Sequence, residues 1–512
     1  MLKIPSLSIN PTAKPGCILK NTLHCAILYK YRLGIPFSCR SIVPEKFIVS
    51  ISKRKKYWVL EITALAAVFV SLCWGVFSGI LSRKSVPVPG ASDAEYILLM
   101  IGLITGSIPV FYLIFQAILV CFYRPVRKEK IDDNTLPGCT VIVPAYNESS
   151  GVADTLRTLL KSNYPADKLE IIAINDGSVD DTWNWITLVS CEHPGRITAV
   201  NLEQNQGKKH ALHLGFNQAK HDIVVTIDSD STVKSDTLRN LVQPFENPKI
   251  GGAAGVVRVK NIDDGIIPRI LDVCFVFSCD FIRSAQSAIG AVLCSPGAIS
   301  AYRKAALLPH LDSWLHQTFL GKPSTIGEDR ALTSILLRND YHVVLQNTAE
   351  VDTVVPVDYP QLCRTLIRWT RGDVREGLLM IRHFYKKFRF GDLRLLALKI
   401  NLVCQLLGLI MPIISLPLFI YAIAANISNL PLMLSYVLFA TWLWAAIPAV
   451  LYAHRESPLK AAWAFICAFI SLFALSWICI YSWITMNNPQ WMTRNSKKED
   501  AEVKVRSVGG NS

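Results

Sequence analysis

Two carboxylates one residue apart, Asp228 and Asp230, close a short apolar run made of Ile223, Val224, Val225 and Ile227. The run has the length of a buried strand. In a strand, side chains alternate with period two, which puts both carboxylates on one face. Two hard oxygen ligands at the carboxyl end of a buried strand suit Mg²⁺ or Mn²⁺ held together with substrate phosphates. Asp and Ser also favour turns after strands, where their side chains bond the local backbone. The surrounding chain has to decide between these readings.

The elements that would carry this pair follow in order. Cys139-Thr-Val-Ile-Val-Pro144 is a strand stopped by proline, and Ala145-Tyr-Asn-Glu148 leads into a helical stretch from Val152 to Lys161. A second strand, Leu169 to Ile174, ends in Asn175-Asp-Gly-Ser178, and Asp180, Asp181 and Thr182 offer caps for the next helix. A third apolar run from Ile197 to Leu202 precedes Gly207-Lys-Lys-His and another helix. Strands alternating with helices predict a parallel α/β sheet, with the ligand beyond the carboxyl ends of the strands. Tyr146, Asp176 and Asp228 all fall at such ends.

Five apolar stretches are long enough to cross a bilayer: Trp58 to Leu81, Tyr96 to Phe122, Leu402 to Ala425, Leu432 to Ala453, and Ala461 to Met486. The net charge is +14 over 512 residues. Its basic residues gather beside the membrane: Lys53, Arg54, Lys55 and Lys56 before the first stretch, Arg124, Arg127, Lys128 and Lys130 after the second. That pattern sets topology and argues against a nucleic-acid partner; both flanks are expected inside, with the soluble domain cytoplasmic at the plasma (inner) membrane. The 14 cysteines show no paired C-x-x-C spacing, which disfavours a zinc site or disulfide framework. The expected organisation is a basic leader (1–56), a membrane hairpin (57–122), an α/β domain (123–371), an amphipathic interface helix (372–400), a membrane bundle (401–486) and a tail (487–512).

The series V-P-A-Y-N-E, N-D-G-S and D-S-D resembles the nucleotide-binding half of family 2 glycosyltransferases of the GT-A fold. The resemblance implies that Tyr146 and Asp176 hold the uracil of a UDP-sugar, with Glu148 and Lys208 nearby. It also implies that Asp228 and Asp230 reach the divalent metal on the diphosphate. An aromatic face suits a base, and a carboxylate accepts from a base N–H.

Further on, Ser284 to Ala306 has apolar runs broken by Ser295-Pro-Gly297, either a loop that brings backbone close to a ligand or an ordinary tight connection. It is similar to the acceptor side of hyaluronan synthases and rhizobial chitin-oligosaccharide synthases. Ile326-Gly-Glu-Asp-Arg330 fits the G-[DE]-D-R segment of those families, which makes Asp329 the general base and places Glu328 beside the acceptor. Both acids also suit the N-terminal end of a helix dipole. Arg364-Thr-Leu-Ile-Arg-Trp-Thr-Arg371 is similar to the Q-x-x-R-W signature of processive synthases, with Thr365 where the glutamine stands. Arg368 would then contact the diphosphate and Trp369 the acceptor sugar, although an Arg/Trp pair also suits a membrane surface.

Val374, Leu378, Ile381, Tyr385 and Phe388 recur at helical spacing among Arg375, Arg382, Lys386 and Lys387, as in a basic interface helix. Gln405, Pro412 and Pro417 in the third span either line a sugar passage or are ordinary bundle features. Trp491 and Arg494 resemble the W-x-[ST]-R element that gates the nucleotide. Three crossings after a cytoplasmic domain would put that element on the wrong side, so either a re-entrant segment is hidden or the two residues only anchor the interface.

The whole implies an inverting, processive β-glycosyltransferase that polymerises sugar from UDP-sugars. UDP-N-acetylglucosamine is the expected donor, and Mg²⁺ or Mn²⁺ the cofactor. The partners are the bilayer and a growing polysaccharide; transfer of one sugar to a membrane lipid is the alternative. A transporter or scaffold with a degenerate domain would be expected to lack Asp228, Asp230 or Asp329; all three are present. Linkage and oligomeric state are not encoded in any of these motifs.

Overall fold

A computed structural model describes residues 108–126, 132–385, 387, 392–425 and 430–489. The proposed leader, the first span, most of the second, and Lys386, Phe388, Trp491 and Arg494 lie outside the described residues, as does the side chain of Tyr385.

The core is an eight-stranded sheet in the order β3-β2-β1-β4-β7-β6-β10-β5. Its strands are β1 (Cys139–Ala145), β2 (Leu169–Asp176), β3 (Ile197–Leu202), β4 (Ile223–Ile227), β5 (Ser231–Val233), β6 (Ile250–Val259), β7 (Ile299–Arg303) and β10 (His342–Thr353). A two-residue hairpin, β8 (Thr318–Phe319) with β9 (Lys322–Pro323), stands apart. β1 and β4 are buried along their whole length and read as unbroken apolar runs, as strands covered on both faces must. One face is covered by Val152, Leu156, Leu159, Ile186 and Val189. The other packs on Leu212, Phe216, Leu332, Leu336 and Phe384.

β1, β2, β3 and β4 are parallel, as the alternating pattern predicts. The sheet then departs from the all-parallel expectation. β7 runs antiparallel to both β4 and β6, and β5 runs antiparallel to β10. This reversal has a direct consequence for the site. Ile299 at the start of β7 pairs with Ile227 at the end of β4, so the Ser295-Pro-Gly297 turn arrives beside Asp228. Asp228 and Asp230 themselves follow β4 in a turn rather than extending the strand.

The helices that matter below are α1 (Ile108–Val120), α2 (Gly151–Leu160), α3 (Lys208–Gln218), α4 (Ile266–Val276), α5 (Glu328–Arg338), α6 (Tyr359–Tyr385), α7 (Leu393–Ala425), α8 (Leu430–Arg455), α9 (Ala462–Phe473) and α10 (Trp477–Ile484). Among the described residues one helix, Leu393–Leu418, is by itself long and apolar enough to cross a bilayer, and the pair Leu459–Phe473 and Trp477–Ile484, bent by 47°, passes only as a unit. The last apolar stretch is therefore a broken helix.

α6 is longer than the amphipathic stretch at 372–400 anticipates, carrying Arg368-Trp369 and Arg375 on one continuous helix. Arg371 and Arg375 do not face solvent. Both are buried: Arg371 donates to Thr485 Oγ1 at 2.8 Å, and Arg375 donates to the carbonyls of Met486 and Asn488. Thr325, just before the Gly327-Glu-Asp segment, donates to the carbonyl of Pro489. The chain that leaves the last apolar stretch thus returns to the loop ahead of Asp329.

Candidate active site

A cavity of about 1740 Å³ opens at the carboxyl edge of the sheet. Its wall begins with Tyr146, Glu148, Asp154 and Lys260 and passes Lys208, Asp228, Asp230, Gly297, Glu328 and Asp329. It then continues along Arg364, Thr365, Arg368 and Trp369 into the apolar helices at Pro412, Ser415, Thr441, Trp444 and Ser471.

The centre is a knot of charge. Lys208, at the first position of α3, pairs with Asp228 at 2.5 Å and with Glu328 at 3.2 Å. Burial works against the ammonium, but Asp228, Glu328 and Asp329 outweigh it and hold the lysine charged, above its ordinary range. Asp329 accepts the Gly297 N–H at 3.0 Å on one oxygen and the Arg330 N–H at 2.7 Å on the other. A carboxylate offers about four acceptor sites, so each oxygen keeps a lone pair for a proton from the cavity. Burial first, then the neighbouring Glu328 charge, push the Asp329 carboxyl up to about 6. A carboxylate with that basicity is still ionised at neutral pH and is a better proton acceptor than an ordinary aspartate.

Gly297 is where the groups converge. A Cβ at this position would lie 3.0 Å from Lys208 Nζ and 3.6 Å from one carboxylate oxygen each of Asp228 and Asp329. The lysine end can yield, so Gly297→Ala should fold with little change in thermal midpoint. The added methyl nevertheless occupies the space between the groups that must meet substrate. Turnover is expected to fall by about 10²-fold, as for a displacement of about 1 Å in a reactive geometry, checked by steady-state kinetics beside a thermal melt.

Gly327, the residue before α5, sits at φ +78, and a Cβ there would lie 3.1 Å from Gly372 Cα. Two glycines in contact let the turn that carries Asp329 approach α6 closely. Arg330, buried, then donates to Asp373 on α6 and, at 2.8 Å, to Gln405 on α7. Sequence reading did not select Gly327, Gly372, Arg330 or Asp373; the G-[DE]-D-R segment and the glycine after Arg371 were the available signals.

Two selected residues stand elsewhere than expected. Asp176 is fully buried and off the cavity wall; its oxygens accept the backbone N–H of Gln206 at 2.9 Å and of Gly207 at 3.0 Å. It shapes the loop that presents Lys208. Ser295 is also fully buried, its N–H donated to Thr333 Oγ1 at 3.1 Å, so Pro296 and Gly297 rather than Ser295 form the wall.

The loop holding Tyr146 and Glu148 is fixed by residues that the motifs contain without revealing this role. Asn147 sits at φ 52 and Ser149 at φ 46. Asn147 donates its N–H to Ser178 Oγ and accepts the Val179 N–H at 3.0 Å on Oδ1, while Thr182 Oγ1 accepts the N–H of both Glu148 and Ser149. The loops after β1 and β2 are thereby tied together.

Asp228 and Asp230 share one wall, with Asp230 Oδ1 accepting the hydroxyls of Ser231 and Thr353 at 3.2 Å each. No cluster of three or more His, Cys, Asp or Glu residues is placed to hold a metal among the described residues. Two carboxylates without a closed ligand cage fit an Mg²⁺ or Mn²⁺ ion whose other positions come from phosphate and water.

On the far side, Trp369 is 39 % exposed and its ring lies 6.1 Å from that of Phe275. Arg368 and Thr365 share its stretch of the cavity wall.

The profile described as Glycosyl transferase family 2 matches residues 140–308. An N-acetylglucosaminyltransferase of Rhizobium meliloti (strain 1021) is 30 % identical over 286 residues, covering 54 % of this chain and 67 % of the relative. One from Azorhizobium caulinodans is 27 % identical over 361 residues, or 70 % of this chain and 88 % of its own. Among solved structures, a mannosyltransferase from Pyrobaculum calidifontis, in complex with GDP-Man and Mn²⁺, superposes with a TM-score of 0.52 at 23 % identity. That match covers 74 % of this chain and 98 % of the other, and establishes the GT-A-like fold.

Proposed function

We propose that this chain, which belongs to glycosyl transferase family 2 and is a glycosyltransferase, is an inverting enzyme that extends a sugar chain from UDP-sugars and feeds it into its own membrane helices. The observation that carries the reading is one continuous cavity, in which Asp228, Asp329 and Gly297 meet and which runs on between α7, α8 and α9.

In this reading Tyr146 and Glu148 receive the uridine, and Lys208 and Arg368 face the diphosphate. Trp369 supports the acceptor sugar. Asp329 takes the proton of the acceptor hydroxyl as that oxygen attacks the anomeric carbon from the side opposite UDP. The departing diphosphate gathers charge, which Lys208 and Arg368 offset. Asp228 and Asp230 would hold Mg²⁺ or Mn²⁺, which when bound supplies further charge neutralisation. The names of the rhizobial relatives favour UDP-N-acetylglucosamine as donor.

α7 and α8 serve as two crossings and the bent α9–α10 pair as a segment that does not cross. The bend supports the re-entrant alternative raised by the sequence. Arg394 near the start of α7 donates to the Tyr341 carbonyl, and Arg455 at the end of α8 pairs with Asp280 and Glu350, so the helix pair starts and finishes at the catalytic domain. The contacts of Arg375 and Thr325 with residues 486–489 bring the described end of the chain back to the loop ahead of Asp329, which supports a tail on the cytoplasmic side.

The test is UDP release by detergent-purified protein with Mn²⁺ and single or paired UDP-sugars, followed by sizing of the product. An oligosaccharide or polymer from UDP-N-acetylglucosamine alone is expected. Polymer only with UDP-glucuronate added would replace that donor assignment by a hyaluronan-like one. Thr365, standing where processive synthases carry glutamine, favours the second reading, and label found only on lipid would establish it.

A further inference from the structure

The strongest polar feature outside the reacting groups lies where the cavity leaves the catalytic domain. Gln405 sits in the apolar helix α7, where a polar side chain needs a reason. Its Oε1 accepts from Arg330 Nη2 at 2.8 Å, while its amide nitrogen has no hydrogen-bond acceptor among the described residues. Arg330 directly follows the base Asp329, and its other arm holds Asp373 of α6, whose carboxylate is one-third exposed. Arg330, Asp373 and Gln405 all line the cavity.

From Gln405 the lining follows one face of α7, to Pro412 seven residues on and Ser415 three further, the spacing of one helix face. Gln405 is thus the first membrane-helix residue that a chain leaving the base would meet. One donor (the carboxamide N–H₂) and one acceptor (Asp373) stand side by side, held in place by a guanidinium that fixes both partners.

Resting on the reading above, we infer that Gln405 and Asp373 form a subsite for a neutral sugar of the acceptor one residue behind the reacting end. Gln405 donates to a sugar hydroxyl or amide carbonyl, and Asp373 accepts from a sugar hydroxyl. The subsite holds the product between transfers, and so sets how often it is extended rather than released.

Gln405→Glu separates this from a merely structural role. It keeps the oxygen that Arg330 needs and removes the donor that the sugar needs. The purified variant and wild type are given UDP-N-acetylglucosamine and Mn²⁺, products are sized, and UDP affinity is measured by calorimetry. The expected result is a shift to shorter products at unchanged UDP affinity, with the ratio of extension to release down about tenfold, the worth of one hydrogen bond. A wild-type length distribution from the variant overturns the subsite. A slower rate with unchanged product length also overturns it, leaving Gln405 as a positioning residue for Arg330. If Gln405→Glu fails to bind UDP, Gln405→Met, close in size and suited to an apolar helix, is read on product length alone, because it also removes the oxygen that Arg330 uses: shorter products at wild-type UDP affinity support the subsite and a wild-type length distribution overturns it. A wild-type enzyme that makes no oligosaccharide at all would sink the synthase reading itself, a separate result.

Discussion

Asp329→Asn should lose transfer by about 10²- to 10⁴-fold, the usual share of a general base, while UDP affinity stays near wild type. The substitution is close to isosteric. The amide oxygen can still accept one of the two backbone N–H groups now shared between the carboxylate oxygens, from Gly297 and Arg330. Lys208 keeps Asp228 and Glu328 as partners, so the nucleotide side of the site retains its charge pattern. UDP calorimetry and UDP-release kinetics on the same preparation separate the two quantities. Normal turnover in this variant would remove Asp329 from the role of base.

The same carboxylate gives a signed pH dependence. The working form is the ionised one, and its pKa is raised to about 6 by burial and Glu328. Transfer is therefore full above that value and falls as pH drops through it; the residual rate of Asp329→Asn should lack this acid limb. Stability moves the other way. A carboxylate whose folded pKa exceeds its unfolded one binds protons more tightly when folded, so ionising it costs stability as pH rises from about 4 to about 6. On that account Asp329→Asn should melt no lower than wild type at neutral pH, and a lost melting transition would mark a fold defect rather than a lost base.

How much of this was readable without coordinates depended on whether the information was local. β1, β2 and β4 are largely apolar runs, and Tyr146 and Asp228, which follow β1 and β4, both lie on the cavity wall. Strand direction is not local. Nothing in Ile299-Ser-Ala-Tyr-Arg303 says that it runs against β4, yet that reversal delivers Gly297 to Asp329. Asp176 shows the opposite limit: a carboxylate after a strand looks the same whether it meets a ligand or caps two backbone N–H groups of a loop 30 residues away. Arg375 read as part of the wet face of a basic helix because its partners lie more than 110 residues further on. The bend in the last apolar stretch could not be placed from its composition, because 26 residues satisfy a length rule that knows nothing of a bend; only the topological conflict pointed to a hidden re-entrant segment.

The two acids of the D-S-D turn should fail differently when each is replaced by asparagine, although the motif presents them as a pair. Asp228 lines the cavity and pairs with Lys208, and in the proposed reading it also faces the diphosphate. Asp228→Asn therefore weakens the metal site and leaves Lys208 leaning on Glu328 alone, which pulls the ammonium away from where phosphate should lie. Asp230 is held by the hydroxyls of Ser231 and Thr353, bonds that an amide oxygen accepts equally well, so Asp230→Asn changes the charge at the metal and little else. Loss of fixed charge facing a leaving group costs about 10²- to 10³-fold in turnover, and Asp228→Asn is expected at or beyond the upper end of that range. For Asp230→Asn, raising Mn²⁺ should recover much of the lost rate, because the remaining defect is affinity. For Asp228→Asn saturating Mn²⁺ should not, because the misplaced lysine persists. Titrations of Mn²⁺ binding in the presence of UDP, run beside UDP-release kinetics, decide it. Full rescue of both variants by metal would mean that Lys208 acts independently of Asp228, and equal failure of both would mean that the two carboxylates act on the ion as one unit.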